Sequence, residues 1–163
     1  MLGLSSYNWW KFLHLAGVVA FVMFHGVSVV AALRVRKERD RARIATLLQF
    51  SGSSVMGMYV SLGWLIVFGV VAGVQGGYWN DGWFWIAIGL LVVAVGEMSA
   101  VARPYYQRVK EAVEVRPSGV PRRSDEELEE ILNARVAIWN AVFGAAVLLV
   151  IVWLMVFKPF QVF

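Results

Sequence analysis

The stretch from Val136 to Phe157 reads VAIWNAVFGAAVLLVIVWLMVF and contains no charged side chain. At a rise of about 1.5 Å per residue, a helix of this length spans the roughly 30 Å hydrocarbon layer of a bilayer. Three earlier blocks are about as long and nearly free of charge. The four predicted membrane spans are therefore residues 8–33, 49–74, 83–102 and 136–157.

The composition supports the same interpretation, because 60% of the 163 residues are hydrophobic and 16% are charged. Soluble domains contain about 45–50% apolar and roughly 25% charged residues. We expect an all-α fold, an integral membrane four-helix bundle that forms a single membrane domain over residues 1–163. The absence of cysteine excludes disulfides, thiolate metal ligands and cysteine nucleophiles.

The basic residues are strongly asymmetric, since thirteen of the fifteen Lys and Arg residues lie in segments 34–48 and 103–135. Basic residues in short loops are retained in the cytoplasm. This predicts two cytoplasmic loops, with both termini outside, in a multi-pass protein of the bacterial cytoplasmic (inner) membrane. Topology accounts for the basic residues, so we expect the lipid bilayer as partner and no nucleic acid.

The second basic segment also carries a helix-start signal. Ser124 followed by Glu127 is typical of a capping box, in which each residue bonds the backbone of the other. Apolar residues at helical spacing follow it, which predicts a short amphipathic cytoplasmic helix before the fourth span. These residues are Leu128, Ile131 and Leu132.

Three ionisable side chains lie deep within the predicted spans: His14, His25 and Glu97. Such groups are costly in lipid and usually face the bundle interior, so each is a candidate functional residue. His14 and His25 are eleven residues apart, which places them on one face of a helix, about 16 Å apart along it. One helix cannot supply both axial ligands of one iron at that distance. The two histidines mark either two levels of one path or two separate sites.

Counting from the span centres places His25, Glu97, Met58 and Asn140 in the cytoplasmic half of the bundle. Three interpretations of His25 and Glu97 remain open: a hydrogen-bonded pair that fixes packing, a pair that handles protons or binds a metal, or two residues that never meet. Met58 lies at the same level and adds a soft thioether, which with histidine can bind copper(I). Methionines in so apolar a chain are more typical of packing.

His14 lies in the outer half and also has two interpretations. It is either an interfacial histidine that reaches toward water or an axial ligand of heme or a metal. The chain has no second histidine at that depth. A heme would therefore pair His14 with a Met, Lys or weak ligand, or with the same histidine across a symmetric homodimer.

Residues 10–20 read WKFLHLAGVVA, in which an aromatic residue, a leucine and a histidine are followed by small residues. This opening resembles that of an uncharacterised family of bacterial four-helix integral membrane proteins, distantly related to the membrane domain of copper-resistance protein D. The heme-binding membrane protoporphyrinogen oxidase is a more remote relative of similar shape. The resemblance includes segments 103–106 and 157–160, and it implies that His14 contacts a metal or heme. The methionine- and histidine-rich outer segment of a dedicated copper carrier is missing.

We therefore expect a small bacterial membrane protein that binds b-type heme or a metal, copper being the candidate, as a redox or accessory protein. His14 is the first candidate ligand and His25 the second, with Glu97 and Met58 at the inner level. Two alternatives stay open. The protein is a non-catalytic structural subunit of a larger membrane complex, or a small proton or ion transporter that uses His25 and Glu97. No enzyme motif is present, and whether the protein is an enzyme stays open.

Overall fold

The computed structural model describes residues 6–161, which are helical over most of their length. Four helical segments are long and apolar enough to cross a membrane, which confirms the predicted all-α fold and the number of spans. A 3₁₀ turn, Tyr78–Asn80, joins the second segment to the third, and a π-helical turn, Met98–Ala102, lies within the third. The helices are α1 Ser6–Lys37, α2 Arg41–Gln75, α3 Gly82–Glu97, α4 Arg103–Val113, α5 Asp125–Asn133 and α6 Val136–Phe157.

The helices continue beyond the apolar blocks that predicted them. In the predicted loop 34–48, residues 38–40 alone lie between α1 and α2. Asp40 caps α2 because its side chain accepts hydrogen bonds from the backbone nitrogens of Ala42 and Arg43. The Glu38 carboxylate accepts bonds from the backbone N–H groups of Arg39 and of Asp40, and these two bonds lower its pKa. The apolar pattern marks where lipid-compatible residues end, whereas the capping groups mark where the helix ends.

Each successive spanning helix reverses direction, so the start of α1 and the end of α6 lie at the same end of the bundle as the α2–α3 turn. We call this the aromatic end. The Tyr78 hydroxyl lies 3.1 Å from the Tyr7 hydroxyl and 2.6 Å from the Lys158 Nζ. These contacts join the start of α1, the turn and the end of α6. The opposite end, which carries the two basic segments, is called the basic end.

The helices pack as two main pairs, α1 with α2 and α3 with α6. Large apolar side chains such as Met23 (67% exposed) and Leu149 (70% exposed) face outward. Soluble proteins rarely expose apolar surface on this scale, so the chain is a multi-pass membrane protein. One buried cluster fills the space between α3 and α6: Trp83, Phe84, Ala87, Val147, Ile151 and Leu154. The second lies at the basic end: Val35, Ile44, Tyr105, Val109, Ala112, Val113, Leu128, Leu132 and Ala137.

The segment between α4 and α6 is held against the basic end. The predicted capping box is present, with Ser124 Oγ accepting from Glu127 N at 3.2 Å and Glu127 Oε2 accepting from Ser124 N at 3.0 Å. The Arg41 side chain is 17% exposed and donates to the backbone oxygens of Ala112 and Arg123. It also lies 2.7 Å from Asp125 Oδ1. A single guanidinium therefore connects the start of α2 to α4 and to α5.

Candidate functional site

The imidazole of His14 binds the neighbouring helix through one nitrogen. Its Nδ1 lies 2.8 Å from the backbone carbonyl oxygen of Leu65 in α2. Because a carbonyl oxygen can only accept, Nδ1 carries the hydrogen of this bond. In the neutral ring the second nitrogen, Nε2, then holds an unshared electron pair. It makes no hydrogen bond with any of residues 6–161.

A glycine on α2 makes room for this ring. A Cβ atom at position 69 would lie 2.8 Å from His14 Nδ1 and 2.9 Å from His14 Cε1. Gly69 follows the accepting residue, Leu65, by one helical turn, so the imidazole lies against bare backbone. A side chain at this position would push the ring away from the carbonyl. The His14 bond therefore depends on a glycine 55 positions later in the chain.

A second bond crosses the same interface in the opposite direction. Trp64 Nε1 on α2 donates to the backbone oxygen of Leu13 on α1 at 2.9 Å. Here too a glycine follows the accepting residue by four positions, and a Cβ at Gly17 would lie 2.6 Å from Trp64 Cδ1. Each helix thus gives one side-chain donor and one backbone acceptor. The two bonds fix how α1 and α2 face one another and so fix the direction of the imidazole.

Aromatic rings lie about one helical turn from the histidine, toward the aromatic end. Trp10, one turn before His14, stacks on Phe68 of α2 with ring centres 5.9 Å apart. Phe68 also contacts Trp64 at 4.6 Å. His14 itself is partly exposed. The imidazole therefore borders an apolar, aromatic surface that faces the membrane.

His25 lies at the second level, and its surroundings differ from those of His14. The ring stacks on Phe21 with centres 5.6 Å apart and an interplanar angle of 8°. Its Nε2 lies 3.3 Å from where a Cβ at Gly144 of α6 would be. No hydrogen bond or ion pair links His25 to Glu97 among the residues that the structure describes. Of the interpretations left open, the hydrogen-bonded packing pair is not observed.

His25 and Glu97 lie on helices that belong to different main pairs. α1 packs mainly against α2, whereas α3, which carries Glu97, packs mainly against α6. Glu97 Oε1 and both amide atoms of Asn140 are buried and have no hydrogen-bond partner within residues 6–161. Met58 is also buried, at 1% exposure. The inner level thus holds polar atoms that the described chain leaves unsatisfied.

Three features of the site were not predicted: the Leu65 acceptor, the Trp64 donor and the π-helical turn that begins directly after Glu97. The Trp64 donor could have been inferred, since Trp64 lies well inside its span rather than at the membrane boundary where tryptophan is common. An indole N–H at that depth needs a hydrogen-bond partner. The carbonyl of Leu65 and the π turn leave no recognisable pattern in one sequence. Such π turns occur frequently at functional sites.

The described residues contain no group of three or more His, Cys, Asp or Glu side chains placed to hold a metal ion. No protein-family model matches the sequence, and comparisons with curated proteins and with solved structures give no match either. The family resemblance of residues 10–20 stays a prediction.

Proposed function

We propose that this chain is a small membrane protein that binds b-type heme or a metal ion through Nε2 of His14 and serves as a redox or accessory protein. The observation that carries the proposal is the 2.8 Å bond from His14 Nδ1 to the Leu65 carbonyl. Histidines that bind metals almost always donate their other ring N–H to a carbonyl or carboxylate. This bond sets the tautomer and makes Nε2 the stronger ligand.

The surroundings of the ring favour heme over a bare ion. Trp10 and Phe68 provide flat apolar surface beside His14, as a porphyrin requires. A b-type heme needs only one or two protein ligands, whereas a metal site usually needs three or four. When bound, the heme would supply one-electron transfer, and the chain would supply its axial ligand and its apolar pocket. Copper stays the alternative metal, at one of two separate levels: at His14, or at His25 with the Met58 thioether as a soft donor.

The second axial ligand is the open part of this proposal. His25 is about 16 Å along α1 from His14 and cannot reach the same iron. We therefore propose that a second copy contributes its own His14 in a homodimer, or that a subunit of a larger membrane complex contributes a ligand. In a symmetric dimer each copy needs to present one pre-oriented imidazole, which is what the α1–α2 interface provides.

We also propose an orientation, in which the basic end faces the cytoplasm of a bacterium and both termini face outward. The asymmetry of thirteen basic residues against two supports it. The short helix α5 then lies on the cytoplasmic side as an amphipathic helix, with Leu128 and Leu132 buried. His14 would lie in the outer half of the inner membrane.

Two substitutions of the same histidine test the ligand role. In His14→Asn the side-chain amide can replace Nδ1 as donor to Leu65, but no atom replaces Nε2. In His14→Ala both are lost. We expect the wild type, purified with added hemin, to have a Soret band that both variants lack, while only His14→Ala loses stability. Glu97→Gln is the matched control and should keep the band.

A wild-type protein that stays colourless with hemin and binds no copper(I) would contradict the proposal. If it then purifies only together with other membrane chains, the structural-subunit alternative is supported. A Soret band retained by His14→Asn would also contradict it, because the iron would then be bound elsewhere.

A specific observation favours one further candidate, a small proton or ion transporter. Ser28 Oγ, Glu97 Oε1 and the Asn140 amide are buried without hydrogen-bond partners in the described chain, and such groups line proton and ion paths. His25 lies one turn from Ser28 on α1. Flux into liposomes that Glu97→Gln abolishes and His14→Asn leaves unchanged would support this candidate.

A further inference from the structure

A groove runs between α1 and α2 toward the basic end. It holds a wide-open cavity of about 480 Å³. Its lining is apolar except at one end, where Arg34 closes it. The lining residues include Gly26, Val27 and Val30 of α1 with Leu47 and Phe50 of α2.

A second cavity of about 410 Å³ adjoins the first at its charged end, since both are lined by Arg34 and Leu47. Its remaining lining is mostly polar and includes Arg43, Thr46 and Glu38. The two cavities form one groove with an apolar half inside the predicted span and a basic half beyond it. We call this the α1–α2 groove.

We propose that the α1–α2 groove binds one anionic phospholipid, with an acyl chain in the apolar half and the phosphate between Arg34 and Arg43. This proposal does not rest on the heme proposal, because Arg34 lies about 30 Å along α1 from His14 at the helical rise, toward the other end of the bundle. Basic pockets between membrane helices are known sites for anionic lipid headgroups.

The charges in the groove favour an anion. Arg34 is exposed and forms no hydrogen bond or ion pair with its side chain anywhere in residues 6–161. Arg43 has a side chain that is 73% exposed, with its nearest carboxylate oxygens 3.8 Å away on Asp40 and 3.9 Å away on Glu38. Both carboxylates already accept backbone N–H groups at the start of α2. Two guanidinium groups therefore remain able to bind phosphate, a geometry that arginine favours.

The depth of the groove fits one lipid chain. From Gly26 to Arg34 the helix rises about 12 Å, close to the roughly 15 Å hydrocarbon thickness of one leaflet. Arg34 directly follows the last residue of the predicted span 8–33, which is the level of the headgroups. At Gly26 an added Cβ would meet no atom within 4 Å, so the floor of the groove there is open.

This open floor gives a direct test, because Gly26→Phe would add a ring to the apolar half from a position where the added Cβ meets no atom within 4 Å. We would measure lipid binding by native mass spectrometry of the full chain, titrated with phosphatidylglycerol or with phosphatidylcholine. We expect the wild type to retain one phosphatidylglycerol and no phosphatidylcholine. Gly26→Phe should lose it, and Arg34→Gln should weaken it by roughly tenfold, as expected for loss of a charge-assisted contact.

Two matched controls distinguish lipid binding in the α1–α2 groove from general electrostatic attraction of anionic lipid to the protein surface. Gly63→Phe adds the same ring at a position in α2 with no atom within 4 Å, and Arg108→Gln removes the same charge from an exposed position on α4. Both should bind like the wild type. Equal weakening by Arg108→Gln would overturn the proposal, since only surface charge would then matter. Unchanged binding in Gly26→Phe, equal retention of phosphatidylcholine, or displacement by glycerol phosphate alone would overturn it as well.

Discussion

The indole nitrogen of Trp64 lies 2.9 Å from the carbonyl oxygen of Leu13, the residue that directly precedes the candidate ligand. A second bond runs in the opposite direction, from His14 Nδ1 to the carbonyl oxygen of Leu65, the residue that directly follows Trp64. Lipid supplies little hydrophobic drive between helices, so packing and hydrogen bonds such as these decide how helices associate. The two bonds therefore make the α1–α2 pair the rigid part of the site.

Trp64→Phe tests this pair of bonds, because it keeps an aromatic ring and removes the N–H donor. We expect a loss of about 0.6 kcal/mol in unfolding free energy, and at most about 1.7 kcal/mol, the range for hydrogen bonds between membrane helices. Unfolding in sodium dodecyl sulfate, followed by circular dichroism, would measure it. Trp153→Phe is the control, since Trp153 is 49% exposed and its indole N–H bonds no described residue. Equal effects of both changes would contradict the role given to Trp64.

Two glycines of α2 should respond in opposite directions to alanine. At Gly69 a Cβ would lie 2.8 Å from His14 Nδ1, so Gly69→Ala should destabilise by about 1–3 kcal/mol, as overpacking does. At Gly63 no atom lies within 4 Å of the added Cβ, so Gly63→Ala should be neutral or stabilise by about 0.5–1 kcal/mol through the higher helix propensity of alanine. The same unfolding assay compares them, and a stable Gly69→Ala variant would contradict the packing described for His14.

The tyrosine at the centre of the aromatic end should ionise early. The Lys158 ammonium, followed by the hydrogen bond with Tyr7, lowers the pKa of Tyr78 below its ordinary value of 10.0. Because the folded pKa is lowered, ionisation of Tyr78 contributes stability that is fully present above pH 10.0 and is lost as pH falls through the folded pKa. An alkaline titration of tyrosinate absorbance should therefore contain an early step.

Substitutions assign that step. It should disappear in Tyr78→Phe and move to higher pH in Lys158→Met, whereas Tyr59→Phe should leave it in place. An early step that persists in Tyr78→Phe would belong to another tyrosine and would contradict the arrangement of the aromatic end.

Arg41 should control how firmly segment 114–124 is held. Its side chain is 17% exposed and bonds the backbone oxygens of Ala112 and Arg123. In Arg41→Gln we expect limited trypsin digestion at the arginines of this segment to become faster by several-fold, because local opening costs less. Lys37→Gln removes one charge from an exposed, unpaired side chain at the same end and should digest like the wild type. Similar rates in all three proteins would show that Arg41 does not restrain the segment.

The sequence predicted the four spans well, because block length and missing charge are direct consequences of the bilayer. It did not predict where the helices α1 and α2 end, since those ends depend on the capping contacts of Asp40 and Glu38, which hydropathy does not reveal. The predicted loop 34–48 is therefore mostly helix. The capping box at Ser124 was predictable because both partners are side chains at fixed spacing.

The sequence indicates candidate site residues, but it does not predict their contacts. His14, His25 and Glu97 are identified as candidates because each is an ionisable side chain within a predicted span. The partner of His14 is a backbone oxygen, which every residue of α2 possesses, so no residue type marks Leu65 in advance. Glu97 was one candidate partner of His25, but no bond links the two among the described residues, and their helices belong to different main pairs. The sequence did not reveal which helices pack against each other, and the contacts of these residues depend on that packing.

That pairing also has a consequence for biosynthesis. The two hydrogen bonds between α1 and α2 lie within residues 13–65. The main packing partner of α3 is α6, which begins only at Val136. Chains emerge from the ribosome N-terminus first. The α1–α2 pair can therefore form its two hydrogen bonds before α6 has been translated. We expect His14 to be oriented before the rest of the protein assembles, and a nascent chain in the membrane to present this imidazole to a cofactor or a second copy early.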